Sequence, residues 1–509
     1  MSQVAIIYTT IAVYVVMIAV IGIITGRRSR GISDFTVGGR NAGAWLSALS
    51  YGTAYFSAVM FVGYAGGTGK GFGLWGILAG LGNAVFGSWL AWKVLARRTR
   101  DVSARLKLKT MPEYFEQRYG SPALKYFAAA VIFVFMVPYS ASVYKGLASI
   151  ADVLLGIDVN VCMIIIAVMA ILILVLGGYL VQARADFVQG IIMFAGIVLL
   201  LVFVVKSDKP LFDGGFAGIA EYARTAEGLP ELNVSQWITL WATVLMTSFG
   251  TWGLPQMVTK YFGIKDDRQA KRGVTISTVF ALLVAGGGYF IGALCYMYFN
   301  KADVLAGTPA QDYLVPMMLK LTNLPTVLLG IVIVLLLSAS VSTLCSVSLT
   351  ASSVLSVDLI NDRAKKPLGQ KKLTALTKIL CAVFVVISFV VANTKTPILD
   401  MMSYSWGVIS GSFLAPYVLA LYDKKITKKG AWAGVLTGFF IAMIPAVSKI
   451  ITMFAAPELA VKLAGMGPTF ACIAMIASII VTEAVGRLTY KSSDELYIAP
   501  FYSEVKEEE

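Results

Sequence analysis

Apolar runs long enough to cross a lipid bilayer follow one another along nearly the whole chain. The hydrocarbon core of a bilayer takes about 20 apolar residues in a helix. Thirteen segments meet that length, at roughly 4–25, 42–66, 73–95, 123–151, 158–178, 185–206, 235–258, 274–297, 324–357, 373–393, 398–421, 430–449 and 467–486. In lipid every backbone N–H and C=O needs an internal partner, and runs of this length meet that need as helices. The expected fold is therefore an all-α polytopic membrane protein with about 13 transmembrane helices. Only 14% of the residues are charged, against about 25% in soluble domains. The first run lacks a basic start and ends at Arg27-Arg28, so it reads as a retained span, not a cleaved signal.

The cations fix the expected orientation. Of the 42 Lys and Arg residues, 30 fall on loops of one side, nine on the other, and Lys125, Lys145 and Lys378 near or within spans. Cytoplasmic loops carry the excess of Lys and Arg. The N-terminus is therefore expected outside and the C-terminus in the cytoplasm. The formal charge of +14 is explained by this topology and by attraction to anionic lipid; nucleic acid is not expected as a partner.

Several chemistries drop out. The chain has no histidine, which removes His metal sites and Ser-His-Asp triads. The five cysteines, Cys162, Cys295, Cys345, Cys381 and Cys472, lie in apolar segments without CxxC spacing and read as small buried hydrophobes. An enzyme is not expected, nor an organic cofactor. There is no ATP-binding P-loop; "GTGKGFG" at 67–73 lacks the spacing and reads as a flexible turn. Any pumping would draw on an ion gradient.

Three spans are unusually polar. The second contains "SALSYGTAYFSAVMFVGYAGG", from Ser47 to Gly67. The seventh is "WATVLMTSFGTWGLPQMVTKYFG", with Gly250, Gly253 and Pro255 beside Thr247, Ser248 and Thr251. Proline removes a backbone donor and breaks the helix ladder, and freed groups in a bilayer need protein, water or an ion. Both spans are candidates for broken helices, although small-residue packing faces of ordinary helices fit the same composition. They begin two successive sets of five spans that enter from opposite sides, the pattern of an inverted-repeat transporter. In the ninth span Ser338, Ser342, Ser346 and Thr350 step by four and share a helix face. Ala339, Ser342 and Thr343 cluster there, and hydroxyls with exposed carbonyls could hold a hard cation. A close helix contact is the alternative.

The blocks "DFTVGGRNAGAWLSALSYGTAYFSA", "PEYFEQRYG", "GGYLVQARADFVQGIIMF" and "LSASVSTLCSVSLTASSVLSVDLI", in that order, resemble the bacterial sodium:solute symporter family, which includes the sodium/proline and pantothenate symporters. The resemblance implies a leucine-transporter-like 5+5 inverted-repeat core. Residues 1–41 would be the first helix and inner loop, 42–206 the first repeat and 207–234 an outer loop. Residues 235–421 would be the second repeat, and 422–509 two accessory helices and a cytoplasmic tail.

It also implies a sodium ion held by carbonyls of Thr53, Phe56 and Ala339 and hydroxyls of Ser342 and Thr343. Thr53 lies about eleven residues and Ser342 about sixteen from the inner loops, depths that meet in the middle to inner membrane at 1.5 Å per residue. Asp186 matches the family's acidic residue on the inner sodium route; a loop ion pair with Arg184 is the other reading. Tyr139 matches a substrate-side tyrosine. Tyr55 stands where the sodium/proline symporters carry an aspartate. Thr247 and Thr251 stand where their proline-contacting aromatic pair falls. With Trp252, Pro255 and Gln256 these residues form the candidate substrate pocket. Lys145 in the fourth span either snorkels to the interface or attracts a substrate carboxylate.

The function expected is sodium-coupled symport of a small organic solute into a bacterial cell across the inner membrane, by alternating access. An amino acid such as proline is favoured over a monocarboxylate or pantothenate-like acid. A transporter-like sensor and a passive channel are the alternatives. Partners expected are sodium, the solute and the lipid bilayer, with the protein a monomer.

Overall fold

A computed structural model describes residues 3–26, 31–394, 396–455, 457–491 and 495–502. Among these the secondary structure is helical, with one isolated parallel bridge pairing Ala42 with Ile264. Among the described residues ten helices are long and apolar enough to cross a membrane. The thirteen expected segments differ from this count for three reasons. The fifth and sixth run on as one helix with a sharp break. The second half of the second continues into the third, within Met60–Arg105. The seventh is broken into pieces too short to count.

The principal helices are α1 (Gln3–Gly26), α2 (Ala44–Tyr55), α3 (Ala65–Phe72), α4 (Arg97–Arg105), α5 (Met111–Tyr119), α6 (Pro122–Leu155) and α7 (Val159–Lys206). They continue as α8 (Val234–Phe249), α9 (Pro255–Phe262), α10 (Asp267–Ala293), α11 (Thr326–Ser353), α12 (Gln370–Ala392) and α13 (Ile398–Tyr422). Last come α14 (Lys428–Phe454), α15 (Gly467–Thr489) and the short α16 (Glu495–Tyr502). Within α7 the chain turns at Gly177 and Gly178, the latter at φ 56° and ψ −135°. A Cβ at Gly178 would lie 2.6 Å from the Phe35 carbonyl oxygen, so both the left-handed backbone and the contact call for glycine.

Burial sorts the helices. Every residue of α11 from Val332 to Ser353 is buried, and so is nearly all of α13. The lipid-facing rows of α1, α7, α12, α14 and α15 expose Val, Ile and Leu side chains. That is the arrangement of an apolar solvent outside and a hydroxyl-bearing core within. α11 packs against α7, α6 and α1, while α13 packs against α6, α14 and α15.

The second and seventh spans are broken helices, while the polar ninth is the continuous α11. α2 ends where Phe56 adopts an extended conformation, φ −104° and ψ 99°. The helix resumes when Ser57 Oγ accepts the Val59 N–H at 3.2 Å. The seventh span passes from α8 through a tight turn, Gly250–Gly253, to an extended Leu254 before α9 begins at Pro255. Proline suits a first helical position, where no intrahelical N–H is needed. Close approach fixes the turn: a Cβ on Gly253 would sit 2.9 Å from Leu414 N and 3.0 Å from Ser410 Cα of α13. The Ala42 bridge then ties the start of α2 to the end of α9, with Ala42 N donating to Gly263 O and Lys265 N to Ala42 O, each at 3.0 Å.

Candidate functional site

The break after α2 frees carbonyls that an intact helix would pair with N–H groups four residues on. The Thr53 and Ala54 oxygens instead lie 3.1 and 3.4 Å from Thr343 Oγ1 of α11. The same hydroxyl lies 3.0 Å from Ala339 O. A hydroxyl has one proton to give, so three carbonyl oxygens around it make an acceptor-rich spot. Hard cations are bound by such converging neutral oxygens. The tertiary fold thus brings together Thr53, Ala339 and Thr343, with Phe56 at the break itself.

Ser342, one residue along α11, turns to a second cluster. Its Oγ donates to Asp186 Oδ1 at 2.6 Å, and Ser50 Oγ of α2 donates to Asp186 Oδ2 at 2.5 Å. Asp186 is fully buried. Its charge is met by Lys260 of α9, whose Nζ lies 3.2 Å from Oδ2 and donates to Ser50 Oγ at 2.8 Å. With its oxygen turned inward, the Gln182 amide accepts from Ser346 N at 3.1 Å and from Lys260 Nζ at 3.3 Å. The three ammonium protons then have three acceptors, and the ammonium also stands 5.1 Å from the Tyr179 ring centre. Arg184 is engaged elsewhere, donating to Thr25 Oγ1 at 3.2 Å. The partner of Asp186 is therefore Lys260 and not Arg184.

The hydroxyl stripe of α11 faces this cluster. Ser342 meets Asp186, Ser346 meets Gln182, and Thr350 lines a cleft shared with Lys260, Gln256 and Lys109. The cleft holds about 10 Å³, close to the room of one water. Its walls run from Gln182, Ser346 and Lys260 to Lys109 and Thr110.

The residues expected to meet solute divide. Tyr55 stacks on Phe56 with ring centres 4.1 Å apart, and its hydroxyl donates to Thr247 O at 2.5 Å, linking the two broken helices. The Tyr139 ring meets Trp406 edge-on at 5.6 Å, and its hydroxyl lies 3.5 Å from Ala54 O. The Gln256 amide is fully buried, and neither its oxygen nor its nitrogen makes a hydrogen bond of ordinary geometry among the described residues; the same holds for Trp406 Nε1, and both groups stand near the Tyr139 hydroxyl. Thr247 and Thr251 spend their hydroxyls on Thr243 O (2.9 Å) and Ser248 O (2.8 Å) of their own helix. Trp252 turns to Phe86, donating to its carbonyl at 3.0 Å. Pro255 starts α9. Lys145 Nζ donates to Thr396 O at 2.8 Å and to Thr394 O, so its ammonium is held by backbone at the start of α13. Asp312 caps that start as well, accepting from Ile398 N at 3.2 Å.

Sequence reasoning missed Lys260, Gln182, Ser50 and Trp406. In the sequence Lys260 falls among the inner-loop cations, yet its side chain is 2% exposed. Its position four residues after Gln256, on the second piece of a broken span, was the available signal.

A family model described as the sodium:solute symporter family matches residues 35–438. Among curated proteins the chain is 27% identical over 431 residues to the high-affinity proline transporter PutP of Bacillus subtilis, covering 82% of this chain and 87% of that protein. It is 25% identical over 450 residues to the sodium/proline symporter of Escherichia coli, covering 86% of each. It is 26% identical over 500 residues to a Staphylococcus aureus sodium/proline symporter, covering 95% of this chain and 93% of that one. Among solved structures, a sodium-coupled sialic acid symporter in a substrate-bound outward-open state superposes with a TM-score of 0.76 at 16% identity, covering 95% of this chain and 97% of the other. At that identity the likeness concerns the fold.

Proposed function

The chain belongs to the sodium:solute symporter family, and on that premise we propose that it carries a small organic solute into a bacterial cell together with sodium, across the inner membrane. Proline is the favoured solute, with a monocarboxylate or pantothenate-like acid as the alternative. One observation carries the reading: the carbonyls freed in the broken span at Thr53 and Ala54 converge with Ala339 O on the single hydroxyl of Thr343.

A sodium ion at that spot would take the Thr53, Phe56 and Ala339 carbonyls and the Ser342 and Thr343 hydroxyls. Ser342 would then turn from Asp186 toward the ion. Asp186 and Lys260 carry opposite charges, so the ion's own charge would be met by neutral oxygens. Joining α2 to α11 stiffens the wall on which Tyr55 and Phe56 sit, and this couples ion binding to solute binding as a shared free energy. Asp186 and the cleft toward Lys109 would form the ion's route to the cytoplasm. Residues 42–206 and 235–421 would rock against each other as inverted repeats, with the N-terminus outside.

The solute pocket has aromatic walls from Tyr55, Tyr139 and Trp406, and the Gln256 amide and Trp406 Nε1 there make no hydrogen bond of ordinary geometry among the described residues. An amide offers both donor and acceptor, which suits a compact solute carrying both, as an amino acid does. Uptake of labelled proline into proteoliposomes tests the reading. An imposed sodium gradient is expected to drive accumulation above the external concentration. Equilibration without accumulation would mean a channel, and binding without uptake a sensor. Accumulation driven by a proton gradient in the absence of sodium would overturn the ion assignment.

A further inference from the structure

The hydroxyl stripe of α11 does not stop at Thr350. Ser353 follows three residues on, lines the same cleft as Thr350, Thr110 and Lys109, and is 4% exposed. Its Oγ makes no hydrogen bond among the described residues. Past Ser353 the helix widens into a π-helical stretch, Val354–Asn361. In an α-helix, residues five apart point about 140° away from each other. In a π-helix each N–H pairs with the carbonyl five residues back, so Asp358 comes one turn after Ser353 on the same face. Such stretches are rare and recur at functional sites.

Asp358 is 1% exposed. Thr110, the cap of α5, donates its hydroxyl to Asp358 Oδ1 at 3.0 Å and accepts the Glu113 N–H at 3.2 Å. Asp358 Oδ2 makes no hydrogen bond among the described residues. The carboxylate feels the like charges of Glu113 and Asp362 and the opposite charge of Lys125. The Lys125 ammonium is divided between Glu116 at 2.7 Å and Asp362 at 2.8 Å. A buried charge is costly unless an opposite charge meets it, and a carboxylate oxygen beside an unused hydroxyl suits a small hard cation. Thr110 links this carboxylate to the cleft that begins at Gln182 and Lys260.

We propose that Asp358 Oδ2, Ser353 Oγ and the Thr110 hydroxyl oxygen form a second sodium site at the end of the cleft, where an ion leaving Asp186 is held before it reaches the cytoplasm. The proposal rests on the reading of the chain as a sodium-coupled carrier, and its test separates the two. Purified full-length protein would be titrated with radioactive sodium in an equilibrium binding assay. Two saturable equivalents are expected. Thr343→Ala should lose one of them. Asp358→Asn should weaken the other at least tenfold, and its amide oxygen can still accept from Thr110, so the tie to α5 is kept. If that variant fails to fold, Ser353→Ala deletes a hydroxyl that bonds nothing among the described residues. It should weaken the same equivalent at least threefold with an unchanged melting temperature. A single equivalent, lost in Thr343→Ala and unchanged in Asp358→Asn or Ser353→Ala, overturns this site and leaves the sodium-coupled reading standing. No sodium bound by the parent protein overturns both.

Discussion

Lys260 Nζ lies 3.2 Å from Asp186 Oδ2, and both side chains are sealed from solvent. The two come from helices that are far apart in sequence, and they meet beside the hydroxyl of Ser342. Removing one member of a buried ion pair costs about 3–5 kcal/mol because the other charge is left unpaired. Removing both costs far less.

For Lys260→Met, the apo protein should therefore melt markedly lower than the wild type. The carboxylate left behind would attract sodium, so added sodium should raise the melting temperature more in the variant than in the parent. In the double variant Asp186→Asn/Lys260→Met the two losses should be strongly non-additive. Additive losses measured by denaturant unfolding would show that the pair has no coupling.

Thr343→Ala removes the hydroxyl on which three carbonyls converge. The half-saturating sodium concentration for uptake should rise at least tenfold, and Ser342→Ala should act in the same direction. The stability loss should stay near 1 kcal/mol, the net worth of an ordinary hydrogen bond. A normal sodium response in both variants would place the ion elsewhere.

Gln256 separates binding from stability. Its buried amide makes no hydrogen bond of ordinary geometry among the described residues, and a buried polar group without a good partner destabilises a fold. Gln256→Leu should keep or raise the melting temperature while weakening solute binding by tenfold or more, read by labelled-solute binding at saturating sodium. A large loss of stability would mean that the amide is structural.

Tyr55→Phe deletes the bond to Thr247 O across the two broken helices. Its cost should be about 0.5–1.5 kcal/mol. Solute half-saturation should rise while the sodium half-saturation measured at saturating solute stays within about twofold. A sodium shift as large as that of Thr343→Ala would move Tyr55 from the solute wall to the ion site.

Much of this molecule is written locally in the chain. Run lengths and the absence of histidine determined a helical membrane protein without His-based chemistry. Glycine and proline at the second and seventh spans determined where helices break, because backbone freedom and a missing N–H act within a few residues. The four-residue step of Ser338, Ser342, Ser346 and Thr350 determined a polar face on α11. What that face meets was decided only in three dimensions. Lys260 looks like one more loop cation in sequence, since charge alone does not reveal burial. Only the meeting of α9 with α2 and α7 places it on Asp186, and only the packing of α6 against α13 turns Lys145 toward the backbone of residues 394 and 396. Burial and pairing are properties of neighbours remote in sequence, and the fold alone supplies those neighbours.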